Sequence, residues 1–235
     1  MSTPPPASAP AAVLWDMDGT LVDTEPYWML AERELVAAWG GTWTREEGLQ
    51  LVGQGLWNSA LVLQSRGVRL HPQQIIDALT DRVLEQIAEH VPWRPGAREL
   101  LAEVRGAGIP TALVTMSIRR MADTIVAALT DELGARPFDA VVAGDEVAHP
   151  KPYPDAYLRA AELLGVPIAE CLAVEDSEPG VASAVAAGAT TIAVPFHVPL
   201  PTSPVYTLFG DGLAEVGLDR LLATHGERLA AEAHR

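Results

Sequence analysis

The sequence predicts an α/β fold, a doubly wound, Rossmann-like parallel sheet with a small helical domain inserted into it. Three observations carry that prediction. Short apolar or β-branched runs recur with turn residues after them, helical periodicity fills the segments between them, and one gap of almost a hundred residues separates the first run from the second. Alternating strands and helices require crossover connections, so the sheet is parallel and helices cover both faces.

The strands are expected at 11–15, 111–115, 140–143, 172–174 and 190–194, and the helices between them at 97–105, 119–133, 154–164 and 179–187. Proline at the first turn opens several of these segments, where its missing N–H costs nothing. The long gap carries helical patterns at 27–39, 57–65 and 72–89 and no convincing strand, so it should fold as a separate helical domain. The expected organisation is a disordered extension over 1–10, an α/β core built from 11–24 and 93–235, and a helical domain over 25–92. Four of the six tryptophans (Trp28, Trp39, Trp43, Trp57) fall in this insertion. Trp28, Trp39 and Trp43 are expected to close its small core, whereas Trp57 follows a flexible Gly53-Gln54-Gly55-Leu56 turn where a substrate could approach the backbone.

No Asp, Glu, Lys or Arg lies between Glu178 and Asp211, but Gly188, Pro195, Pro199, Pro201 and Pro204 interrupt any membrane-spanning helix there. A helix, a strand and a loop are expected instead. Lys plus Arg number 16 against 31 for Asp plus Glu, a formal charge of -15 that repels nucleic acid and anionic membrane surfaces, so neither is an expected partner. The single cysteine, Cys171, cannot form an internal disulfide and reads as a small buried apolar residue in a reducing compartment. The first residues, MSTPPPASAPAA, have neither a basic leader nor an apolar stretch, and a cytoplasmic location is expected.

The chemistry-bearing residues sit where strands end. The first strand runs into Asp16-Met17-Asp18-Gly19-Thr20, and a second acidic pair, Glu175-Asp176, directly follows the strand at 172–174. In a doubly wound sheet all carboxyl ends share one edge, so Asp16, Asp18, Glu175 and Asp176 can converge there. Four carboxylates in one crevice repel unless a divalent cation and a cationic side chain neutralise them. Of the 16 basic residues 15 are arginines, which the chain is expected to use for its surface cations, and the one lysine, Lys151, lies between prolines in His149-Pro150-Lys151-Pro152-Tyr153-Pro154. The second strand ends in Thr115-Met116-Ser117, which offers hydroxyls and backbone donors at the same edge. Hydroxyl and amide donors, a lysine and Mg²⁺ suit a phosphoryl group, with a carboxylate close enough to attack it.

Other templates fail on residue count. A calcium loop starting at Asp16 would place Tyr27 where a bidentate Glu is needed, and no P-loop, Gly-x-Ser-x-Gly or His-Glu-x-x-His occurs. The Gly53-Gln54-Gly55 turn lacks the third glycine of a dinucleotide fingerprint.

From about Ala12 to Leu222 the chain resembles the haloacid dehalogenase superfamily, in the branch with a helical cap inserted after the first motif. The stretches DMDGTLVDTE (16–25), VTMS (114–117), GDEVAHPKPYPDAY (144–157) and EDSEPGVASAVAAG (175–188) match its four motifs in order. The resemblance implies a Mg²⁺-dependent hydrolase in which Asp16 is the nucleophile and Asp18 protonates the leaving oxygen and then activates water. It implies that Mg²⁺ is held by Asp16, the backbone carbonyl of Asp18 and Asp176, with Glu175 as ligand or support. Thr115 and Lys151 would hold the transferring phosphoryl oxygens, helped by backbone donors near Met17, Met116 and Ser117. Members that displace halide lack the second aspartate, so the presence of Asp18 favours phosphoryl transfer.

The resulting expectation is a phosphatase acting on a small phosphorylated metabolite, as a monomer, with a mobile cap that presents Gly53, Gln54, Trp57 and Asn58 to the leaving group. Two alternatives stay open: a mutase resembling β-phosphoglucomutase, against which the missing cap arginine counts, and a non-catalytic protein that binds a phosphorylated ligand. His149 reads as a solvent-facing loop residue, Asp155 as a cap or a partner of Lys151, Asp145 and Glu146 as shaping the third loop, and Asp23 and Glu25 as hinge residues.

Overall fold

The computed structural model describes residues 9–51, 55–214 and 216–233. Most of the expected N-terminal extension, together with Gly53 and Gln54, lies outside the described residues. The chain divides into two compact units, Thr24–Pro92 and the pair Met1–Asp23 with Trp93–Arg235.

The first unit contains α1 (Glu25–Ala38), α2 (Arg45–Leu49), α3 (Leu56–Ser65) and α4 (Pro72–Glu89), and no strand among its described residues. α4 buries Ile75, Ile76, Leu79, Val83 and Ile87, the i, i+3/i+4 stripe that an amphipathic helix turns to its neighbours. His71 caps it: its Nδ1 accepts the Gln73 N–H at 3.3 Å while Gln74 Oε1 accepts the His71 N–H at 3.0 Å. Short α2 was not expected, yet Thr44 and Glu47 close a full capping box on it. Trp43 is buried as expected, but Trp39 is 41% exposed at the C-cap of α1 and Trp57 is 53% exposed in α3. Trp39 falls on the outer side of its helix end, so the expectation that it closes the core is corrected.

One buried carboxyl makes this unit sensitive to pH. Glu32 in α1 accepts the Trp43 indole N–H at 3.0 Å, and burial pushes its pKa from 4.5 to about 7, with the Trp43 bond acting weakly in the other direction. A carboxyl whose folded pKa lies above its unfolded one is better protonated when folded, so stability falls as pH rises from 4.5 to about 7. Glu32→Gln keeps an oxygen for Trp43 and removes the charge. Thermal melts are expected to show a higher Tm than the parent at pH 8 and a smaller gain at pH 4.5.

The second unit is a six-stranded parallel sheet in the order β3-β2-β1-β4-β5-β6. Its strands are β1 (Ala12–Trp15), β2 (Thr111–Val114), β3 (Ala140–Val142), β4 (Cys171–Glu175), β5 (Thr190–Ala193) and the two-residue β6 (Thr207–Leu208). Every residue of the first five is buried, as strands covered on both faces must be. The helices are α5 (Ala97–Gly106), α6 (Arg119–Leu133), α7 (Asp155–Leu164), α8 (Glu178–Ala187) and α9 (Leu218–Ala233). Alanines dominate the inner faces of α7 and α8 (Ala156, Ala160, Ala161, Ala184, Ala187), which lets these helices lie close to the sheet. β6 and α9 were not expected; α9 packs against α5 and buries Leu221 and His225, whose Nδ1 lies 2.9 Å from Thr190 Oγ1. Cys171 is fully buried and its Sγ lies 3.4 Å from the Pro167 carbonyl; burial, then Glu170, pushes the thiol up to about 12, as an inert core residue requires.

Strand order reverses between β1 and β4, where ligands of doubly wound sheets bind. Parallel register aligns Leu14 with Ala173 and Trp15 with Val174, and the Asp16 N–H donates to the Val174 carbonyl at 3.0 Å. Asp16 therefore leaves β1 level with Glu175. The acidic Glu175 is part of β4, paired with Ala193, rather than following the strand as expected.

Candidate active site

Lys151 is the centre of the crevice. Its side chain is 4% exposed, and Nζ donates to Asp16 Oδ1 at 2.7 Å, Glu175 Oε1 at 2.5 Å and the Val114 carbonyl at 2.9 Å. Three acceptors use all three ammonium hydrogens. Burial alone would drive the ammonium to lose its proton, but Asp16 and then Glu175 outweigh it and hold its pKa above the ordinary value. The loop before α7 puts it there: its backbone N–H lies 3.2 Å from Met116 Sδ, and the Lys151-Pro152 peptide is cis.

Opposite the lysine lie three carboxylates. Asp16, Glu175 and Asp176 each present an oxygen within 4.8 Å of the others. Burial, then Asp16, raises the Glu175 pKa, and burial with Asp16 and Glu175 raises Asp176 to about 8, because one lysine does not balance three acids. Two glycines make room for them. At Gly19, φ is +83° and a Cβ would stand 2.1 Å from Asp176 Oδ2; at Gly180 in α8, one would stand 2.0 Å from the Glu175 carboxylate. Thr20 Oγ1 reaches Asp176 Oδ1 at 3.4 Å.

The expected hydroxyls meet the second aspartate. Ser117 Oγ donates to Asp18 Oδ2 at 2.7 Å, and Thr115 Oγ1 lies 3.4 Å from the same oxygen. The Ser117 N–H, expected to face the phosphoryl group, instead donates to Thr115 Oγ1 at 3.0 Å because the chain turns tightly after β2. Met17 is fully buried, so only its backbone remains for the site, and its carbonyl accepts the N–H of Leu21 at 2.9 Å. The third loop is built as expected: Asp145 Oδ1 accepts the Arg119 N–H, and Glu146 bonds both the Ala143 N–H and the Arg119 guanidinium. His149 is exposed and its Nδ1 lies 2.9 Å from Asp155 Oδ1, so Asp155 serves the histidine and the first turn of α7 rather than Lys151.

The structure thus brings Asp16, Asp18, Thr115, Ser117, Lys151, Glu175 and Asp176 together. Trp57 and Asn58 belong to the helical unit, where both are exposed. The Trp57 ring stands edge-on to His71 at 6.3 Å, and Asn58 lines a cavity of about 250 Å³ with Trp43, Glu47 and Arg66. Two contributors escaped the sequence reading. Arg94, at 5% exposure, is no surface cation: Nη1 donates to the carbonyls of Gly19 and Val194, and the guanidinium stacks on Phe196 at 4.2 Å. Tyr157, quoted in the third motif without a role, donates its hydroxyl to Glu175 Oε1 at 2.8 Å. Nothing in composition or periodicity marks either one.

The donor set fits a hard divalent cation. Asp16 Oδ2 is buried and has no hydrogen-bond partner, an arrangement that costs free energy unless something cationic faces it. The three candidate ligand atoms, from Asp16, Glu175 and Asp176, are carboxylate oxygens, which suits Mg²⁺ rather than a soft metal.

An acidic switch point anchored on one buried lysine thus sits at the strand ends of a doubly wound parallel sheet. The chain matches the haloacid dehalogenase-like hydrolase family over residues 10–188 and belongs to it. It is 38% identical to protein CbbY of Rhodobacter capsulatus over 192 residues, 78% of this chain and 85% of that one. It is 32% identical to fructose-1-phosphate phosphatase YqaB of Escherichia coli, covering 78% and 96%. Its fold superposes on the crystal structure of a mutant CbbY from Rhodobacter sphaeroides in complex with xylulose-(1,5)bisphosphate, with TM-score 0.77 and 33% identity over 90% of this chain and 99% of that one. The protein is accordingly an enzyme of the phosphoric monoester hydrolase class. No helix among the described residues is long and apolar enough to cross a membrane.

Proposed function

We propose that the protein is a Mg²⁺-dependent, cytoplasmic phosphatase of sugar or polyol phosphates that works through an aspartyl-phosphate on Asp16. The observation that supports it most is the buried Lys151 ammonium shared by Asp16 and Glu175, beside an Asp16 oxygen that lacks a donor. The names of its relatives, a fructose-1-phosphate phosphatase and a hexitol phosphatase among them, support the substrate class.

Asp16, Asp176 and the backbone carbonyl of Asp18 would hold the Mg²⁺, with Glu175 beside them; its two oxygens already accept Lys151, Tyr157, Ser177 and the Asp176 N–H, so it supports more than it binds. When bound, the ion supplies positive charge that offsets phosphoryl and carboxylate charge alike. Asp16 attacks phosphorus, the bond to the leaving alkoxide breaks, and Asp18 gives that alkoxide a proton. Water then attacks the phosphorus of the aspartyl-phosphate, Asp18 takes its proton, and the Asp16 carboxylate departs with both bonding electrons. Lys151 lowers the repulsion between Asp16 and the phosphoryl oxygens, while Ser117 and Thr115 aim Asp18. Gly53, Gln54, Trp57 and Asn58 are proposed to set specificity; this stretch lacks the arginine with which a mutase resembling β-phosphoglucomutase holds its bisphosphate, which counts against the mutase.

Phosphate release from a panel of sugar, polyol and nucleotide monophosphates tests this reading. Release confined to the first two classes and abolished by EDTA is expected. Equal release without divalent cation, or conversion of a sugar monophosphate into its isomer without release, would overturn it.

A further inference from the structure

We propose that Tyr157 is a positioning residue for phosphoryl transfer, its hydroxyl fixing the Glu175 oxygen on which Lys151 is anchored. The inference rests on the reading of Lys151 and Asp16 given above.

Lys151 Nζ is held by three oxygens that differ in how firmly they are themselves held. The Val114 carbonyl belongs to β2, and Asp16 sits on a short side chain at the end of β1. Glu175 has a longer, more flexible side chain and needs further restraint. Asp176 N–H and Ser177 Oγ hold its Oε2, and Gly180 leaves its carboxylate space where a Cβ would not fit. Oε1, the atom that meets Lys151, has one other donor, the Tyr157 hydroxyl at 2.8 Å.

Packing alone does not call for that hydroxyl. Tyr157 is fully buried among alanines on the inner face of α7, and phenylalanine would fill the same space without a polar group to satisfy. Its ring also stands 5.2 Å from Lys151 Nζ, so one side chain meets the ammonium by its face and the anchoring carboxylate by its edge. The hydroxyl touches no reacting atom; it acts through Glu175 and Lys151.

Tyr157→Phe deletes one oxygen and tests the proposal. Losing a charge-assisted hydrogen bond at this place is expected to lower kcat roughly tenfold while KM changes less than about twofold. Ala160→Gly, which loosens the same helix without touching the site, is the control and should lower Tm with little effect on kcat. A kcat within twofold of the parent for Tyr157→Phe, or an equal kcat loss in Ala160→Gly, would overturn the proposal and leave Tyr157 a packing residue. Should Tyr157→Phe fail to fold, ¹⁹F spectra of the parent labelled with 3-fluorotyrosine decide the matter, with the four tyrosine lines assigned through Tyr27→Phe, Tyr153→Phe and Tyr206→Phe. The remaining line should move when inorganic phosphate and Mg²⁺ are added together; a line that stays put counts against the proposal. Turnover that survives Asp16→Asn would remove the underlying reading instead, whatever Tyr157→Phe shows.

Discussion

Asp16→Asn is expected to lose at least about 10⁴-fold in kcat, the scale on which removal of a covalent nucleophile acts, while the protein stays folded. Asparagine matches aspartate in size and keeps an oxygen for Lys151, but its amide is a far weaker nucleophile towards phosphorus. The fold should not suffer, because Asp16 is one of the charges that push Glu175 and Asp176 upward. Removing it relieves repulsion, so without Mg²⁺ the variant should melt no lower than the parent at pH 8. A thermal melt and a phosphate-release assay on one preparation check both halves. A large loss of stability would mean that the Asp16–Lys151 pair holds the fold more than it serves chemistry.

Lys151→Met is expected to fail on both counts. Breaking a buried ion pair by removing one partner typically costs ~3–5 kcal/mol, since the remaining charges stay desolvated. Here two carboxylates, Asp16 and Glu175, lose the cation that they share. Turnover should fall by about 10³-fold or more, because the repulsion between Asp16 and a phosphoryl dianion is no longer offset by the ammonium. The pH dependence has a definite sign. Lys151 lowers the pKa of both Glu175 and Asp176, so its loss raises two groups already above their ordinary values. Carboxyls raised in the folded state favour folding less as pH climbs, so the variant should be markedly more stable at pH 5 than at pH 8. Circular dichroism melts across that range, with and without Mg²⁺, measure it.

Much of the site was legible because its residues violate the local pattern. Asp16, Asp18, Glu175 and Asp176 stand at the ends of apolar runs, where an unpaired charge is expensive, and Lys151 is conspicuous as the one lysine among arginines. Parallel strand order then converts five separate sequence positions into one crevice. Residues whose role depends on a distant partner were not legible. The role proposed for Tyr157, on α7, depends on Glu175 in β4, and Arg94 looks like any other arginine until the carbonyls of Gly19 and Val194 converge on it.

The missed elements have equally local reasons. β6 spans two partly exposed residues and shows no alternation, so nothing separates it from the proline-rich loop before it. α2 has only five residues, too few for a hydrophobic period, although the Thr44-x-x-Glu47 box marked its start. Trp39 was misplaced because size alone suggested burial, whereas its position at the C-cap of α1 leaves it outside the packed stripe.

On the proposed mechanism Asp16 is phosphorylated during turnover. Acid quenching of the working enzyme, reduction with borohydride and mass spectrometry of the peptide that contains residue 16 measures this directly, because an acyl phosphate is reduced to the alcohol and a free carboxylate is not. Homoserine at position 16, present only when substrate and Mg²⁺ were both supplied, is the expected result. An unaltered Asp16 under rapid turnover, or reduction at another carboxylate, would contradict the account.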